Sequence, residues 1–441
     1  MPGVRAPAGP SGSDDKHTTV RPAVPKPGRP DAAPAALPEG RLRPRGSSQG
    51  GMRQYNERVV LQAIRNHGAL PGAELARLTR LTPQTISLIT KRLLDDGLLL
   101  RGALLRGKVG QPSVPLSLNP DGAYSIGIKL GRRSLDMLLV DFTGAVRARS
   151  SLDYDYPTPQ AVFAEIGTRL AEFRARLGAA GLERLQGVGV AAPLSLGGWQ
   201  SLLDADPSLA DAWSRTDVRA EVAALAGLPV TFVKDTAAAC VAELVGGRGR
   251  SVRSFVYVFV DTFIGGGLVI DSHLRGGLNG NAGAIGSLAL HAAEAGDAHK
   301  PRQLLSVASL ITLERRYLAH GLDAAAMFDD RALQPPWQPI TQAWLDEAVP
   351  AIVFAIHSAA CLLDLEGVII DGSFSRKLLG ALIEAVQAEC AHYDWEGVEP
   401  PQLLPGTIGS DARALGGALL PLHANFAPDR DLFLKLDEPG D

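Results

Sequence analysis

Apolar residues recur at helical spacing along the part of the chain that follows residue 52. Val59, Val60 and Ile64 fall on one side of a first segment, and Leu75 and Leu78 fall on one side of a second. An apolar stripe of this kind is typical of an amphipathic helix whose stripe packs against a core. The pattern therefore predicts two short helices that share one core.

A third helix is predicted to begin at Pro83. Ile86, Ile89 and Leu93 supply its apolar stripe. Thr82 stands immediately before it, and a threonine hydroxyl there can accept a hydrogen bond from a free backbone N–H of the first turn. Proline suits the first helical position, because its missing N–H costs least there. The capping residue, the proline and the apolar stripe therefore all predict the same start for the third helix.

Two apolar stretches follow the third helix, at residues 98–105 and 113–118. The basic, glycine-containing segment RGKVGQP separates them, which predicts a β-hairpin. Three helices with a tight turn before the third, followed by a hairpin, are typical of a winged helix-turn-helix. We therefore predict that residues 52–118 form a DNA-binding domain of this type.

Polar and basic side chains on and near the third helix are the candidates for DNA contact. Short polar side chains near the start of a recognition helix can reach base edges, while lysine and arginine can meet phosphates. The alternative is an ordinary solvated helix face, which the helix spacing, the hairpin and the basic charge of the segment together disfavour. The predicted contacts are Thr82, Gln84, Thr85, Ser87, Lys91, Arg92, Lys108 and Gln111.

The pattern changes again after residue 118. Apolar stretches and turn signals alternate over residues 124–154, which predicts three strands. A helix over residues 159–177 and the buried strand LQGVGVAAP follow. Later come a second hairpin, a long helical stretch over residues 344–365 and the strand GVIIDGSFS. This succession predicts an α/β body of two similar lobes over residues 119–441, each beginning with antiparallel strands.

Composition and charge divide the chain in the same way. Residues 1–51 are crowded with Pro, Gly and Ser and lack aliphatic periodicity, so we predict a disordered tail. The net charge of −3 is the sum of +4 over residues 1–51, +6 over residues 52–118 and −13 over residues 119–441. A basic front attached to an acidic body predicts that only the front meets nucleic acid.

The remaining composition excludes several classes of protein. Cys240, Cys361 and Cys390 are far apart and show no Cys-x-x-Cys spacing, so neither a disulfide framework nor a cysteine-rich zinc site is expected. No apolar run of membrane-spanning length and no signal peptide stand out. A soluble, cytoplasmic protein is the expectation.

The order of several motifs resembles the ROK family, the repressors, open reading frames and kinases. A predicted winged helix is followed by GQPSVPLSLNPDGAYSIGIKLG, then by VKDTAAACVAEL, then by IGGGLVIDSHLRGGLNGNAGAIGS. The resemblance runs from about Arg53 to the C-terminal region. It implies a duplicated, two-lobed sugar-kinase-like fold of the actin or ribonuclease-H type, with a sugar cleft between the lobes. It also implies a transcriptional regulator, since family members with an N-terminal winged helix are in most cases regulators.

Both phosphate loops that the resemblance implies are altered. In place of a kinase-like Asp-x-Gly-Gly-Thr turn, the first loop carries Lys129, Arg132 and Arg133. In the second loop, Asp261 and Phe263 stand at the first and third positions of Gly-Thr-Gly-Ile-Gly-Gly-Gly, in place of its first two glycines. Magnesium triphosphate needs carboxylate ligands and uncrowded glycine loops. We therefore predict no catalysis and no cofactor, and interpret the glycines at 265–267 as part of a tight hairpin.

The sugar and zinc motif of the family is also altered. The resemblance places a sugar-binding glutamate at Ala284 and a zinc-binding histidine at Ser287, and the downstream zinc cysteines are missing. The next expected glutamate falls at Leu305. His291 and His299 by themselves cannot complete a four-ligand zinc site, so no metal is predicted. Apolar packing by LLSVASLITL is expected to take over the structural role of the zinc.

Several polar groups remain where the resemblance places the sugar. Asp235 aligns with the general base of the family kinases, and without a phosphoryl donor it is predicted to accept a hydrogen bond from a ligand hydroxyl. The alternative is that Asp235 only caps the following helix. Lys234 is expected to pair with Asp235 or to hold an acidic ligand group. The predicted ligand contacts are Lys234, Asp235, Asn279, Asn281 and Ser287.

Together these features predict a DNA-binding transcriptional regulator, a repressor of carbohydrate metabolism or transport genes. Its expected partners are double-stranded operator DNA, a sugar, polyol or sugar-derivative effector, and further copies of itself in a homodimer or homotetramer. One alternative is a regulator controlled by a protein partner, without a small-molecule ligand. A sugar kinase that carries a DNA-binding domain is another, but it would need phosphate loops that this chain lacks.

Overall fold

The computed structural model describes residues 49–104, 113–154, 156–194, 196, 207–291 and 301–428. It begins with three helices, α1 (Gln49–His67), α2 (Gly72–Thr79) and α3 (Pro83–Asp95). The Thr82 hydroxyl accepts the backbone N–H of Thr85 and caps α3, as predicted. Because α1 begins at Gln49, the last three residues of the predicted tail are helical. The rest of that tail, residues 1–48, lies outside the described residues.

A small antiparallel sheet completes this N-terminal region, residues 49–118, which we call the head. Its strands lie in the order β1-β3-β2 and are β1 (Leu70–Pro71), β2 (Leu99–Arg101) and β3 (Pro115–Leu118). Strands β2 and β3 pair where the hairpin is predicted, with Leu99 opposite Leu118. Residues 105–112 between them lie outside the described residues, and with them the predicted DNA contacts Lys108 and Gln111.

The apolar stripes of the helices form the core of the head. Ile86, Ile89 and Leu93 of α3 are at most 4% exposed, which confirms the predicted stripe. In α1 and α2 the stripes are narrower than predicted, because Val59 and Leu78 are only half-buried. Leu78 lies in the last turn of an eight-residue helix, at the edge of the core rather than in it.

The body begins with a five-stranded sheet in the order β6-β5-β4-β7-β8. Its strands are β4 (Tyr124–Leu130), β5 (Ser134–Asp141), β6 (Val146–Asp153), β7 (Leu185–Ala192) and β8 (Val230–Lys234). The first three strands pair antiparallel, whereas β7 and β8 run parallel to β4. Its helices are α4 (Pro159–Glu183), α5 (Pro207–Ser214) and α6 (Val218–Ala226). These elements form the first lobe.

The second lobe repeats this topology. Its sheet has the order β11-β10-β9-β12-β13, again with three antiparallel strands followed by two parallel ones. The strands are β9 (Phe255–Val260), β10 (Gly265–Ile270), β11 (His273–Arg275), β12 (Gly367–Gly372) and β13 (Gln402–Pro405). The prediction of two similar lobes that start with antiparallel strands is confirmed.

Two helices pass between the sheets, α7 (Asp235–Gly246) and α12 (Ala412–Phe426). They approach each other and the first sheet so closely that only glycine fits at the contacts. A Cβ at Gly416 would stand 1.7 Å from the carbonyl oxygen of Ala238, and one at Gly189 would stand 1.8 Å from that of Gly417. Backbone therefore packs directly on backbone at the joint between the lobes.

The other helices of the second lobe cover its sheet. They are α8 (Leu305–Ala308), α9 (Leu310–Ala319), α10 (Gln338–Leu363) and α11 (Arg376–Cys390). Helix α10 is long and apolar enough to cross a membrane, contrary to the expectation that no such run exists. However, Trp344, Ile352 and Val353 of α10 are at most 1% exposed within the core of the lobe. Its apolar character is that of a core helix.

Candidate functional site

The two lobes leave a large cleft between them, with a volume of about 1700 Å³. The first lobe contributes the β4–β5 turn, and the second contributes the β9–β10 turn together with residues of the segments 324–334 and 373–376. Asp235, a predicted ligand contact at the start of α7, also lines the cleft. The other predicted contacts, Lys234, Asn279, Asn281 and Ser287, are not among the lining residues.

Lys129 stands where the resemblance to family kinases implies an aspartate, and it is engaged within its own lobe. It is 4% exposed, and its ammonium donates to Asp136 Oδ2 at 3.0 Å and to the hydroxyl of Ser134. Burial lowers the pKa of Lys129, and nearby Arg413 adds to this, while Asp136 opposes it. A lysine held in this way provides no carboxylate for a magnesium ion, so this loop does not fit magnesium triphosphate.

The two arginines of the same turn reach across the cleft. The Arg132 guanidinium lies 5.0 Å from the ring centroid of Phe263 in the β9–β10 turn. Arg133 binds the Glu314 carboxylate of α9, with an N–O distance of 2.6 Å.

A third arginine contact ties the first lobe to the start of α12. Arg149 of β6 donates to Asp411, the residue before α12, at 2.7 Å. We call the contacts of Arg132, Arg133 and Arg149 the interlobe bridges.

The second phosphate loop is closed by an ion pair. Asp261 follows β9 and binds Arg413 of α12, whose guanidinium also lies 5.3 Å from the ring centroid of Phe259. The side chains of Arg413 and Asp261 are only 10% and 17% exposed. Burial raises the pKa of Asp261, but Arg413 and Lys129 outweigh it and hold that pKa below its ordinary value. An ionised carboxylate only accepts hydrogen bonds and cannot donate one to a phosphate oxygen, so this loop does not fit a nucleotide either.

The retained glycines serve packing. Gly265, Gly266 and Gly267 form the start of β10 and pair with β9, which confirms the predicted hairpin but places the glycines in a strand rather than in its turn. A Cβ at Gly265 would stand 2.8 Å from Thr236 Cγ2, and one at Gly267 would stand 2.6 Å from Cys240 Cβ. These positions need glycine because α7 crosses directly over the strand.

Asp235 and Lys234 are placed differently from one another. Asp235 is the first residue of α7, and its Oδ1 accepts the backbone N–H of Thr236 at 2.8 Å, so it stabilises the helix start as well as facing the cleft. Lys234 donates to Asn281 Oδ1 at 3.0 Å. The hydrogen-bond partner of Lys234 is thus Asn281. Burial lowers the pKa of Lys234, and the neighbouring Asp235, which acts on its ammonium through charge alone, opposes this lowering.

Residues 304–308 follow the segment in which the family resemblance places zinc ligands, and they belong to an apolar core. Leu304, Leu305, Val307 and Ala308 are at most 7% exposed and pack in the core of the second lobe. Among the described residues no group of three histidine, cysteine or carboxylate side chains lies close enough to hold a metal ion. Residues 292–300, which include His299, lie outside the described part. The described residues of this region therefore do not fit a structural zinc ion.

Helix α3 presents one continuous outward face. Gln84, Ser87 and Lys91, all predicted DNA contacts, are exposed and share this face because they are three or four residues apart. Leu88 lies in the middle of the same face and is 69% exposed. Leu88 is not among the predicted DNA contacts because it is neither polar nor basic, although its spacing from Gln84 and Lys91 places it on their face.

The other predicted DNA contacts of this helix have partners within the head. The hydroxyls of Thr82 and Thr85 hydrogen-bond each other at 2.9 Å at the helix cap. Arg92 donates to Glu57 of α1 at 2.5 Å. The face that is free to approach another molecule is therefore centred on Gln84, Ser87, Leu88 and Lys91.

Helix α12 connects the cleft with the head. Its first turn carries Arg413 at the cleft, and its last residue, Phe426, packs edge-on against Phe142 with ring centroids 4.7 Å apart. Arg65 of α1 lies over the same Phe142 ring, 5.2 Å from its centroid. Head and body also share one apolar cluster, which includes Ile64 and Phe142. Contacts of α12 therefore run from the cleft to the neighbourhood of α1.

The duplicated sheets, the two helices between them and the interlobe cleft define a sugar-kinase-like α/β protein. Residues 125–423 match the sequence profile of the ROK family. This match covers well over half of the chain, and the chain belongs to the ROK family.

Among curated relatives, the xylose repressor of Bacillus subtilis (strain 168) is 21% identical over 243 residues. The match covers 54% of this chain and 61% of the repressor, so it spans about three fifths of that protein's length.

Solved structures of both regulators and kinases share the fold. A ROK family transcriptional regulator, described as a homolog of the Escherichia coli Mlc protein, has a TM-score of 0.62 at 22% identity and covers 85% of this chain and 98% of its own. The ROK hexokinase from Thermus thermophilus has a TM-score of 0.51 at 23% identity and covers 67% of this chain and 97% of its own. The fold therefore does not separate regulator from enzyme, and the chemistry of the site must do so.

Proposed function

We propose that this protein is a cytoplasmic, DNA-binding transcriptional repressor of carbohydrate metabolism or transport genes, with a cleft that binds an effector without catalysis. The observation that carries this proposal is that the charged residues of both phosphate loops in the cleft are paired within the chain. Lys129 is paired with Asp136, and Asp261 is paired with Arg413, so both phosphate loops are filled by the chain's own charges. A kinase must hold a magnesium-bound phosphoryl donor in line with its substrate, and these paired charges supply neither the carboxylate that magnesium needs nor the open glycine loop that phosphates need.

The head supports the DNA-binding half of the proposal. We interpret the head as a winged helix-turn-helix with α3 as its recognition helix, and the three helices, the turn before α3 and the β2–β3 pair support this interpretation. The net charge of +6 over residues 52–118 favours contact with phosphates. A homodimer or homotetramer would place two such heads on the two halves of an operator.

The cleft supports the effector half. Asp235 lines the cleft, and we propose that Lys234, Asn279, Asn281 and Ser287, which do not line it in this structure, contribute once the lobes close. Hydroxyl groups of a sugar, a polyol or a sugar derivative are suited to such polar groups. Closure of the lobes on this ligand would move α12, and α12 carries the movement to the head. Operator affinity then changes because the effector prefers one closure over the other.

The DNA-binding half is tested by selection from a pool of random duplexes with the purified full chain. We expect enrichment of a two-fold symmetric sequence, with affinity that falls steeply as salt rises. Failure to enrich any sequence, with folded protein present, would refute this half of the proposal.

The effector half is tested by a thermal-shift panel of sugars, polyols and sugar phosphates, with Asp235→Asn as the matched variant. We expect at least one compound to raise the Tm of the wild type and to lose its effect in the variant. If every compound leaves Tm unchanged while the selected duplex still binds, control by a protein partner replaces control by a small molecule.

A further inference from the structure

Leu88 is an apolar side chain in the centre of an otherwise polar helix face. It is 69% exposed, with Gln84 one turn before it and Lys91 one turn after it. An isolated exposed leucine is common on protein surfaces and by itself means little. Leu88 is of interest because it lies on the face of α3 that would contact DNA under the proposed function.

The fold does not explain Leu88. The core contacts of α3 are made by Ile86, Ile89 and Leu93, which lie on its inward side and are at most 4% exposed. Thr90, the next polar position, turns inward and donates its hydroxyl to the Ile86 carbonyl at 2.8 Å. Leu88 therefore points away from the core that the rest of the helix builds, and contributes no packing to it.

The chemistry of the major groove offers a partner for such a side chain. Gln84 and Ser87 can exchange hydrogen bonds with base edges, and Lys91 can meet a phosphate. A leucine can do neither. The one apolar group on a base edge in the major groove is the 5-methyl group of thymine, and apolar side chains pack against it. Leu88 also lies in the N-terminal half of α3, the part of a recognition helix that reaches base edges.

We propose that Leu88 is a specificity-determining residue that packs on a thymine 5-methyl group in each operator half-site. The inference rests on the proposed function, since it requires that α3 lie in the major groove. It makes a narrower claim than DNA binding itself: one T·A pair in each half-site is distinguished by its methyl group, and this discrimination depends on the leucine.

The test uses the best duplex obtained by selection with the full chain. One thymine position of the half-site is changed at a time, and the change is made in both half-sites of the same duplex. Deoxyuridine replaces the thymidine, which removes the 5-methyl group and keeps the base pair. We expect one position at which the replacement weakens wild-type binding about fourfold per half-site, since burying one methyl-sized group has an effect of this order. In Leu88→Ala the same replacement should have no effect.

Leu182→Ala is the matched control, because Leu182 is a similarly exposed leucine, 40% exposed, on α4 of the body. This variant should keep the wild-type response to deoxyuridine. The Tm of Leu88→Ala should stay near that of the wild type, because the side chain lies outside the core.

Failure of the inference is distinguishable from failure of the proposed function. If no duplex is selected at all, the proposed function fails. If a duplex binds tightly but no thymine is sensitive, or if Leu88→Ala keeps the full sensitivity, DNA binding stands and the role of Leu88 is refuted.

Discussion

Single side chains decide what each loop of the cleft can hold. Lys129 and Asp261 have the opposite charge to the one that magnesium and phosphate require, respectively, and each has a partner of the chain's own. On α3, Gln84, Ser87 and Lys91 are exposed, whereas the opposite side of the same helix is buried in the core of the head. At this scale the predictions concern DNA contact and close packing.

Gln84 and Lys91 should affect DNA binding in different ways. Gln84→Ala should lower affinity for the selected duplex by about tenfold, because a base contact is lost, and should leave the salt dependence unchanged. Lys91→Ala should reduce the slope of log K against log salt by about 0.9, because one phosphate contact is lost. Fluorescence anisotropy over a series of salt concentrations measures both quantities. Arg176→Ala, which removes an exposed cation from α4, is the control, and equal losses in all three variants would contradict the assignment.

Gly416→Ala should destabilise the body. The new methyl group would stand 1.7 Å from the Ala238 carbonyl oxygen, which is backbone and cannot move aside. We expect the free energy of unfolding to fall by about 3 kcal/mol, the upper end for overpacking an interior. Denaturant unfolding followed by tryptophan fluorescence measures it.

Gly380→Ala in α11 is the control for the intrinsic helix preference, since nothing lies within 4 Å of its added Cβ. This second variant should be as stable as the wild type or more stable. Equal stability of the two variants would show that the contact between α12 and α7 is looser than described.

At the scale of elements, α12 is anchored to the cleft by Asp261. Asp261→Asn should lower the free energy of unfolding by about 3–5 kcal/mol, because it leaves the buried Arg413 without a counter-charge. Burial raises the pKa of Asp261, but Arg413 and Lys129 hold it below its ordinary value. The wild type should therefore keep this contribution above the ordinary aspartate range and lose it as the pH falls through the lowered pKa. Asp261→Asn should lack this part of the acid dependence.

Urea unfolding at several pH values measures both effects. Asp330→Asn, which removes an exposed partner of Lys377, should change stability little. If Asp261→Asn unfolded at the wild-type urea concentration, the ion pair would not be what anchors α12.

Elements whose signals are local were predictable from the sequence. The start of α3 follows from Thr82 and Pro83, and the hairpins follow from the alternation of apolar stretches and turns. Pairings across the fold were not, since Arg133 and Glu314 are 181 positions apart and Asp261 and Arg413 are 152 apart. The sequence showed that the phosphate loops are charged, but it could not show what neutralises them. For the same reason the contact of Lys234 with Asn281, 47 positions away, could not be predicted.

For the whole molecule, the charges in the cleft predict that nucleotide use is absent. The purified chain should hydrolyse no ATP in the presence of magnesium, with or without glucose or xylose, and MgATP should not raise its Tm, because both phosphate loops are occupied. A coupled ATPase assay and a thermal-shift titration measure this. Sugar-dependent hydrolysis above the buffer rate would restore the kinase alternative.

The measurement that bears most directly on the central claim is the operator affinity of a chain whose interlobe bridges are cut. Arg133→Ala with Arg149→Ala removes two ion pairs between the first lobe and the rest of the body, at residues that belong to no element of the head. The control is Arg169→Ala with Arg316→Ala, whose ion pairs each lie within one lobe. If cleft closure sets the position of the head, affinity for the selected duplex should shift by about fivefold in the first variant, near what two exposed ion pairs contribute together, and stay unchanged in the control. An unchanged affinity in the first variant, with lobes shown by small-angle scattering to have opened, would contradict the account.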